Sequence, residues 1–231
     1  MTGPHLRVWQ PSTADGVRGA VLVLHGGQEV SKRPAHRLRP PYLRMLPFAL
    51  DLHRTGRGHG IAVWLLCNRV RGWNKPDLDP VTDARWALGR IHAAHPGVPV
   101  ALVGHSMGAR VAFRVADDPA AVAVCALAPW TTEKDHVDQL AGRKVLIAHG
   151  DRDTVTKPAE SYGYAERVKA VTDAVCRFDV RGDGHSMLRR SGEWTRLVRR
   201  FVLGALDGQP EHTSIASAMG QPSPAGLRVP L

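Results

Sequence analysis

The chain has 231 residues, of which 43% are hydrophobic, so it is long enough to bury one well-packed core, and its composition excludes a disordered protein. The formal net charge is +10. No basic run is interleaved with aromatic residues as a nucleic-acid groove requires, and we expect no nucleic-acid partner. No apolar run approaches the roughly 20 residues that cross a bilayer, and the first residues lack the apolar stretch of a secretory signal, so we expect no stable membrane insertion.

The cysteines and histidines give no sign of a metal site. Cys67, Cys125 and Cys176 each lie within an apolar run, and an odd number without a CxxC spacing argues against a disulfide framework or a zinc site. Buried free thiols fit a reducing compartment, which predicts a cytoplasmic protein. No His-x-Glu or His-Glu-x-x-His pair indicates a metal, and no Gly-x-Gly-x-x-Gly opens a helix, so we expect neither metal nor cofactor.

The positive charge is concentrated in one segment. Between Ser31 and Lys75 the chain has ten basic residues and a single acid, Asp51. Such a segment is either a solvated helix face with an arginine-rich bias or a source of attraction for an anionic substrate, a nucleic acid or an acidic membrane surface.

Strand-like and helix-like segments alternate along the chain. The predicted strands are 5–9, 19–24, 61–67, 98–103, 122–127, 144–148 and 174–180. The predicted helices are 42–53, 80–95, 107–116, 158–171 and 187–203. Because the strands are continuous runs of Val, Leu, Ile and Ala, we expect an α/β fold in which helices cover both faces of a mostly parallel central sheet. Such a sheet binds its ligands beyond the carboxyl ends of its strands.

The domain organisation is simple. We predict one domain over residues 1–206, because no internal repeat and no second region of apolar periodicity are present. From about Asp207 small residues and prolines replace that periodicity, so residues 207–231 are predicted to be a flexible tail.

The strongest motif is Gly104-His105-Ser106-Met107-Gly108, which follows a predicted strand and precedes a predicted helix. A sharp turn there exposes the Ser106 hydroxyl as a nucleophile, and side chains at positions 104 and 108 would collide with neighbouring segments. The backbone N–H of Met107, at the helix N-terminus, is a predicted donor to a developing oxyanion.

A second oxyanion donor is expected from His25-Gly26-Gly27-Gln28, directly after the strand 19–24. Glycines allow a backbone to approach a bound oxyanion closely. The N–H of Gly27 is the first choice and that of Gln28 the second. A plain strand-ending turn is the alternative.

An acid and a base are expected after later strands. Asp151 and Asp153 follow the strand 144–148. Asp153 lies deeper in the loop, within reach of a histidine from the next crossover, whereas Asp151 is suited to cap the turn through its side chain. His185, between Gly184 and Ser186, is the expected base, because packing explains a glycine-flanked loop histidine poorly. The order Ser106, Asp153, His185 is the chain order typical of this fold.

Other residues at strand ends are candidates for substrate contacts. Trp73 and Trp130 are predicted pocket walls, with surface anchors as the alternative. Arg69 and Arg71 follow the strand 61–67 and are predicted to meet a substrate phosphate or carboxylate. Gln28 completes the predicted substrate-binding set.

These four motifs together resemble the α/β-hydrolase superfamily. The matching pieces are His25-Gly26-Gly27, the segment around Ser106, His149 to Val155, and Gly184-His185-Ser186. The resemblance implies that Ser106, Asp153 and His185 are nucleophile, acid and base, and that Met107 and Gly27 bind the oxyanion. Residues 131–143 are too few for the helical cap of many members, so the chain is most similar to small esterase-like and dienelactone-hydrolase-like members with an open site.

The sequence therefore predicts a serine hydrolase that acts on a small-molecule carboxylic ester or thioester through an acyl-enzyme. Two alternatives stay open. One is an amidase or peptidase of the same fold, and the other is a binding protein that kept the fold without catalysis. The sequence does not fix the oligomeric state.

Overall fold

The structure is a computed structural model that describes residues 3–13, 16–207 and 212–231. Within these ranges the strands are β1 (His5–Trp9), β2 (Gly19–Leu24), β3 (Ile61–Cys67), β4 (Val100–His105), β5 (Ala121–Leu127), β6 (Lys144–Gly150), β7 (Val175–Val180) and β8 (Val229–Pro230). The helices are α1 (Pro40–Gly56), α2 (Asp79–Ala94), α3 (Met107–Arg114), α4 (Pro158–Lys169), α5 (Ser191–Leu206) and α6 (Thr213–Gly220).

The described strands form one sheet in the order β1-β3-β2-β4-β5-β6-β7-β8. The edge strand β1 pairs antiparallel with β3, and every other neighbouring pair is parallel. The predicted α/β architecture is confirmed. Because the parallel strands end at the same edge, the loops after β2, β4, β6 and β7 meet there.

Two apolar layers enclose the sheet, because neighbouring strand residues point to opposite faces. In β2, Leu22 and Leu24 pack into the layer covered by α2, α3 and α4. Val21 and Val23 pack into the layer covered by α1, α5 and α6. This two-sided burial is why the strands read as continuous apolar runs.

The loop between β7 and α5 is longer than the sequence predicts. Helix α5 begins at Ser191, not at residue 187, because Met187 has a left-handed backbone with φ 56°. The Asp183 carboxylate organises this loop by accepting hydrogen bonds from the N–H groups of Gly184 and Arg190 and from Trp194 Nε1. His185 therefore lies on a braced loop beyond the end of β7.

The predicted flexible tail is wrong for residues 212–231. Helix α6 buries Ile215, Ala218 and Met219, Leu227 is buried in the opposite layer, and β8 pairs with β7. The spacing of these apolar residues is helical, but α6 is only eight residues long and rich in small side chains, so its periodicity is weak in the sequence. Part of the predicted tail, residues 208–211, lies outside the described residues.

No cap covers the carboxyl ends of the strands in the described part of the chain. The connection from β5 to β6, where many related folds insert one, contains only a 3₁₀ turn over Asp138–Leu140. Of the helices that the structure describes, none combines the length and the apolar character that crossing a membrane requires.

Candidate active site

Ser106 lies at the sharp turn between β4 and α3. Its backbone has φ 55° and ψ −118°, a conformation that costs a non-glycine residue about 1–3 kcal/mol. Its N–H donates to the carbonyl of Leu127 (3.0 Å), and its own carbonyl accepts from the N–H of Ala109 (3.1 Å). These bonds to β5 and α3 hold the strained turn in place.

The two glycines of the motif are required for close packing of α3. A Cβ on Gly104 would overlap the carbonyl of Gly108, and a Cβ on Gly108 would overlap the carbonyls of Leu24 and His25. The steric interpretation of the motif therefore holds, because α3 crosses directly over the ends of β4 and β2.

The structure brings His185 and Asp153 together at the same edge of the sheet. His185 Nδ1 lies 2.8 Å from Asp153 Oδ2. In the described ranges, no hydrogen bond joins the Ser106 hydroxyl to the His185 ring. Such contacts are often long without substrate and tighten when substrate binds. Asp151, the alternative acid, instead accepts the N–H of Gly182 (2.7 Å), so its carboxylate caps the turn.

The Asp153 carboxylate is buried and surrounded by donors. Its Oδ1 accepts the N–H groups of Val155 (2.8 Å) and Thr156 (3.0 Å). Its Oδ2 accepts from the Thr156 hydroxyl (2.9 Å), from His149 Nε2 (3.2 Å) and from His185. Burial by itself would raise the pKa of Asp153, but the bonds from His149, His185 and Thr156 outweigh it and hold the pKa well below its ordinary value. The carboxylate therefore stays ionised and acts as an acceptor.

His149 is a second histidine on the same acid, and sequence analysis gave it no role at the site. Its Nε2 lies 3.2 Å from both Asp153 Oδ2 and the carbonyl of Thr156, and 3.4 Å from the Thr156 hydroxyl, which donates its proton to Asp153. We therefore assign the proton of His149 to Nε2. Its Nδ1 then accepts from the Ser161 hydroxyl (2.8 Å), whose oxygen also receives Arg177 Nε (3.1 Å). The available sequence signal was a histidine four residues before an aspartate at a strand end.

His105 supports the loop that carries His185. Its Nε2 lies 3.0 Å from the carbonyl of His185, and the two rings are 4.7 Å apart. Burial, together with the neighbouring His185, lowers the pKa of His105 to about 3. His105 is thus a neutral donor that fixes the backbone of residue 185 at neutral pH.

The loop after β2 lies against the nucleophile. A Cβ on Gly26 would be 3.4 Å from Ser106 Cβ, and a Cβ on Gly27 would overlap the Met107 side chain and the carbonyl of Arg71. Neither the N–H of Gly27 nor that of Met107 has a hydrogen-bond acceptor among the described residues. Both donors remain available to a ligand.

The second choice for this donor, the N–H of Gln28, is wrong. It donates to the carbonyl of Arg71 (2.8 Å), because the residues after β2 pair with those after β3 through an isolated bridge from Gln28 to Gly72. Its side chain is exposed, and a substrate contact there stays a prediction.

The two predicted tryptophans meet beside Ser106. The N–H of Trp130 donates to the carbonyl of Ser106 (3.2 Å), and its ring packs edge-to-face on Trp73 at 6.1 Å. The buried guanidinium of Arg110 lies 4.7 Å from the Trp73 ring and 4.4 Å from the Trp130 ring, and pairs with Asp135. Trp73 is fully buried, which argues against its predicted role as a pocket wall. Trp130 is partly exposed, and its contact with substrate stays a prediction.

The two predicted arginines have different surroundings. Arg69 binds Asp83 through both its Nε and its backbone N–H, and we no longer expect it to bind substrate. Asp83 lies on α2 and Arg69 in the loop after β3, so the sequence pattern does not predict this ion pair. Arg71 has no carboxylate partner among the described residues, and its Nε donates to the carbonyl of Pro34 (2.9 Å).

A small pocket of about 140 Å³ opens beside the loop after β2. Its wall combines that loop with the segment leading into α1 and with Arg71. The lining residues are His25, Gly26, Gly27, Gln28, Ala35, His36, Arg39, Pro41, Tyr42 and Arg71.

The sheet order, the turn at Ser106 and the uncapped strand ends define an α/β hydrolase. Residues 15–144, more than half of the chain, match the family model described as serine aminopeptidase S33, and the chain belongs to this family of hydrolases. No curated protein sequence matches the chain.

Solved structures of α/β hydrolases superimpose on most of the chain. Est1E from Butyrivibrio proteoclasticus with ferulic acid bound has a TM-score of 0.68 at 13% identity, covering 87% of this chain and 95% of that one. Est2 from Thermogutta terrifontis with butyrate bound gives 0.66 at 20% identity, covering 91% and 92%. XC6422 from Xanthomonas campestris, described as an α/β serine hydrolase without a lid, gives 0.66 at 18% identity, covering 90% and 91%. At these identities the likeness shows the fold.

Proposed function

We propose that this chain is a serine hydrolase that cleaves carboxylic ester bonds, with Ser106 as nucleophile, His185 as general base and Asp153 as the acid. The observation that carries the proposal is the 2.8 Å hydrogen bond between His185 Nδ1 and Asp153 Oδ2, at the sheet edge that also presents the strained Ser106 turn. A nucleophile, a base and a group that orients the base form the arrangement that serine acyl transfer needs.

The hydrogen bond to Asp153 determines which nitrogen of His185 acts as base. A carboxylate facing Nδ1 keeps the proton there and leaves Nε2 with its lone pair. In the first step Nε2 takes the proton of the Ser106 hydroxyl as its oxygen attacks the ester carbonyl. The imidazolium that forms is stabilised by the ionised Asp153 and then protonates the leaving alcohol.

The negative charge on the carbonyl oxygen requires donors on the other side of Ser106. The N–H groups of Gly27 and Met107 have no acceptor among the described residues, and α3 adds the positive end of its dipole at Met107. In the second step His185 activates a water molecule, which releases the acid from Ser106 and restores the enzyme.

Hydrolysis of an amide bond is the second candidate, because the family model is named for an aminopeptidase. An aminopeptidase has to bind the ammonium group of its substrate, for which a carboxylate is the natural partner. The pocket beside Gly27 is lined by Arg39, Arg71 and no carboxylate. This basic lining favours an ester or thioester over a peptide with a free amino terminus.

The test is the hydrolysis of p-nitrophenyl esters from acetate to dodecanoate, with the matching p-nitroanilides alongside. We expect ester turnover that falls on the order of 10⁶-fold in Ser106→Ala. Ser217→Ala, which removes an exposed hydroxyl on α6, is the matched control and should retain full activity. Faster turnover of anilides than of esters would favour the amidase. A wild type as inactive as Ser106→Ala on every substrate would contradict both.

A further inference from the structure

Some of the ten basic residues between Ser31 and Lys75 are paired with carboxylates, and others are not. Lys32 pairs with Asp77 and Asp79, Arg54 with Asp51, and Arg69 with Asp83. Around the start of α1 and the loop after β3, five arginines have no carboxylate partner within the described ranges. They are Arg33, Arg37, Arg39, Arg44 and Arg71.

These unpaired cations act on one another. Arg71 is half-buried, and burial followed by repulsion from Arg39 and Arg33 lowers its pKa from the ordinary value. Like charges that are held together without a counter-ion destabilise the protein that holds them. On a fully solvated helix face, long arginine side chains could move apart and reduce their repulsion. Arg71 is held in place by its hydrogen bond to the carbonyl of Pro34.

The pocket defined above contains two of these cations and borders the loop that lies against Ser106. Arg39 and Arg71 line it, and His36 adds a third basic side chain. Gly26 and Gly27 also line it, and a Cβ on Gly26 would lie 3.4 Å from Ser106 Cβ. The same short loop therefore borders both the pocket and the reacting centre.

We infer that the substrate carries an anionic group, a carboxylate or a phosphate, and that Arg39 and Arg71 bind it in this pocket. The inference rests on the proposed function, since it names the class of ester that Ser106 would cleave. Guanidinium groups bind carboxylate and phosphate oxygens through paired N–H donors. Arg71 Nε donates to the carbonyl of Pro34, and its two terminal nitrogens have no hydrogen-bond partner in the part of the chain that the structure describes.

The position of the pocket limits where the anionic group lies in the substrate. In the proposed mechanism the N–H of Gly27 binds the oxyanion, and Gly27 also lines the pocket. An ester whose carbonyl is bound there places a carboxylate or phosphate in the pocket only if a short spacer separates the two.

Binding tests the pocket without any catalysis. Glutarate and inorganic phosphate are titrated by calorimetry into Ser106→Ala, with 1,5-pentanediol as the neutral counterpart of glutarate. We expect at least one of the two anions to bind saturably and the diol not to bind. Adding Arg39→Gln or Arg71→Gln to the Ser106→Ala protein should weaken anion binding at least tenfold. The tighter anion identifies the substrate group as carboxylate or phosphate.

The control is Arg90→Gln, which removes the same charge from an exposed position on α2. It should leave anion binding unchanged. Binding that falls equally in Arg90→Gln and Arg39→Gln would show a general charge effect and overturn the inference. The absence of saturable binding of both anions would overturn it as well.

Turnover of matched esters separates this inference from the proposed function. Mono-p-nitrophenyl glutarate is compared with p-nitrophenyl valerate for the acyl side, and 4-carboxyphenyl butyrate with phenyl butyrate for the alcohol side. We expect kcat/KM at least tenfold higher for the anionic member of one pair, and loss of that ratio in Arg39→Gln. Neutral esters cleaved as fast as anionic ones in both pairs would overturn the inference and leave the esterase standing. If the protein binds an anion through Arg39 or Arg71 but cleaves no ester, the assignment of the anion-binding pocket is kept and the proposed esterase function is contradicted.

Discussion

The two sides of Ser106 differ in how completely the protein satisfies its own polar groups. On the acid–base side, formed by Asp153, His149, Thr156 and the His185 loop, the Asp153 carboxylate accepts five hydrogen bonds from within the chain. The oxyanion side is formed by Gly27, Met107, Arg39 and Arg71. Among the described residues, the N–H groups of Gly27 and Met107 have no acceptor and the two arginines have no carboxylate partner.

On the acid–base side the polar groups find their hydrogen-bond partners when the chain folds, whereas on the oxyanion side a ligand has to supply them. A buried carboxylate is tolerated only when donors surround it, so the acid–base side is assembled before substrate arrives. The oxyanion side has unpaired hydrogen-bond donors, which stabilise negative charge that develops only during the reaction. Substitutions on the first side should therefore disturb both stability and activity, and those on the second mainly activity.

Among the substitutions that compare the two sides of Ser106, Asp153→Asn is expected to have the largest effect. Its amide would present an N–H or a neutral oxygen to His185 and no longer keep the proton on Nδ1, so kcat should fall on the order of 10⁴-fold. Ester turnover measures the loss, and Asp151→Asn, on the exposed neighbour, is the matched control. A larger loss of turnover in Asp151→Asn than in Asp153→Asn would show that Asp153 is not the catalytic acid.

Next in size is Gly27→Ala on the oxyanion side. The added Cβ overlaps the carbonyl of Arg71 and the Met107 side chain, so the loop has to shift and its N–H leaves the oxyanion position. We expect kcat to fall by about 10²–10³, with little change in substrate binding. Gly89→Ala, whose Cβ would meet open space on α2, should leave kcat unchanged. An intact kcat in Gly27→Ala would mean that the second donor lies elsewhere.

A smaller effect is expected from Thr156→Val on the acid–base side. This change keeps the shape of the side chain but removes the hydroxyl that donates to Asp153 Oδ2. We expect about 1–2 kcal/mol of lost stability and a roughly tenfold lower kcat. Urea unfolding and ester turnover measure the two, with Thr55→Val on α1 as control. A loss of activity at full stability would contradict the coupling that defines this side.

The acid–base side should also make the stability of the protein depend on pH through Asp153. Because the folded protein holds the pKa of this carboxyl below its ordinary value of 3.8, its ionised form stabilises the fold above that pH. This contribution is lost as the pH falls below about 4 toward the folded pKa. Wild type should therefore exceed Asp153→Asn by about 1–3 kcal/mol at pH 7, and the gap should narrow below pH 4. A gap of constant size between pH 7 and pH 3 would show that Asp153 is not stabilised as an anion.

The sequence predicts the sheet well because its signal is local. Strands buried on both faces are continuous apolar runs, and β3 has the predicted bounds, Ile61–Cys67. The positions of Ser106, Asp153 and His185 follow from where their strands end. The start of α5 was missed because Met187 adopts a left-handed conformation that apolar periodicity does not reveal.

The remaining features depend on contacts between segments that are distant in the chain. Arg69 was expected to meet substrate, but Asp83 on α2 takes its guanidinium. Gln28 N–H was considered as a donor, but the loop after β3 supplies the carbonyl of Arg71. Residues 212–231 are held on the sheet by burial of Ile215 and Leu227. Because this segment is short and rich in small residues, its sequence does not predict that burial.

The most direct test of the central claim is covalent labelling with a fluorophosphonate, followed by mass spectrometry of the digested protein. The nucleophile assignment predicts a single adduct on the peptide that contains Ser106, no adduct in Ser106→Ala, and a normal adduct in Ser217→Ala. Wild type that remains unlabelled, or label that persists in Ser106→Ala, would contradict the assignment of Ser106 as the activated serine.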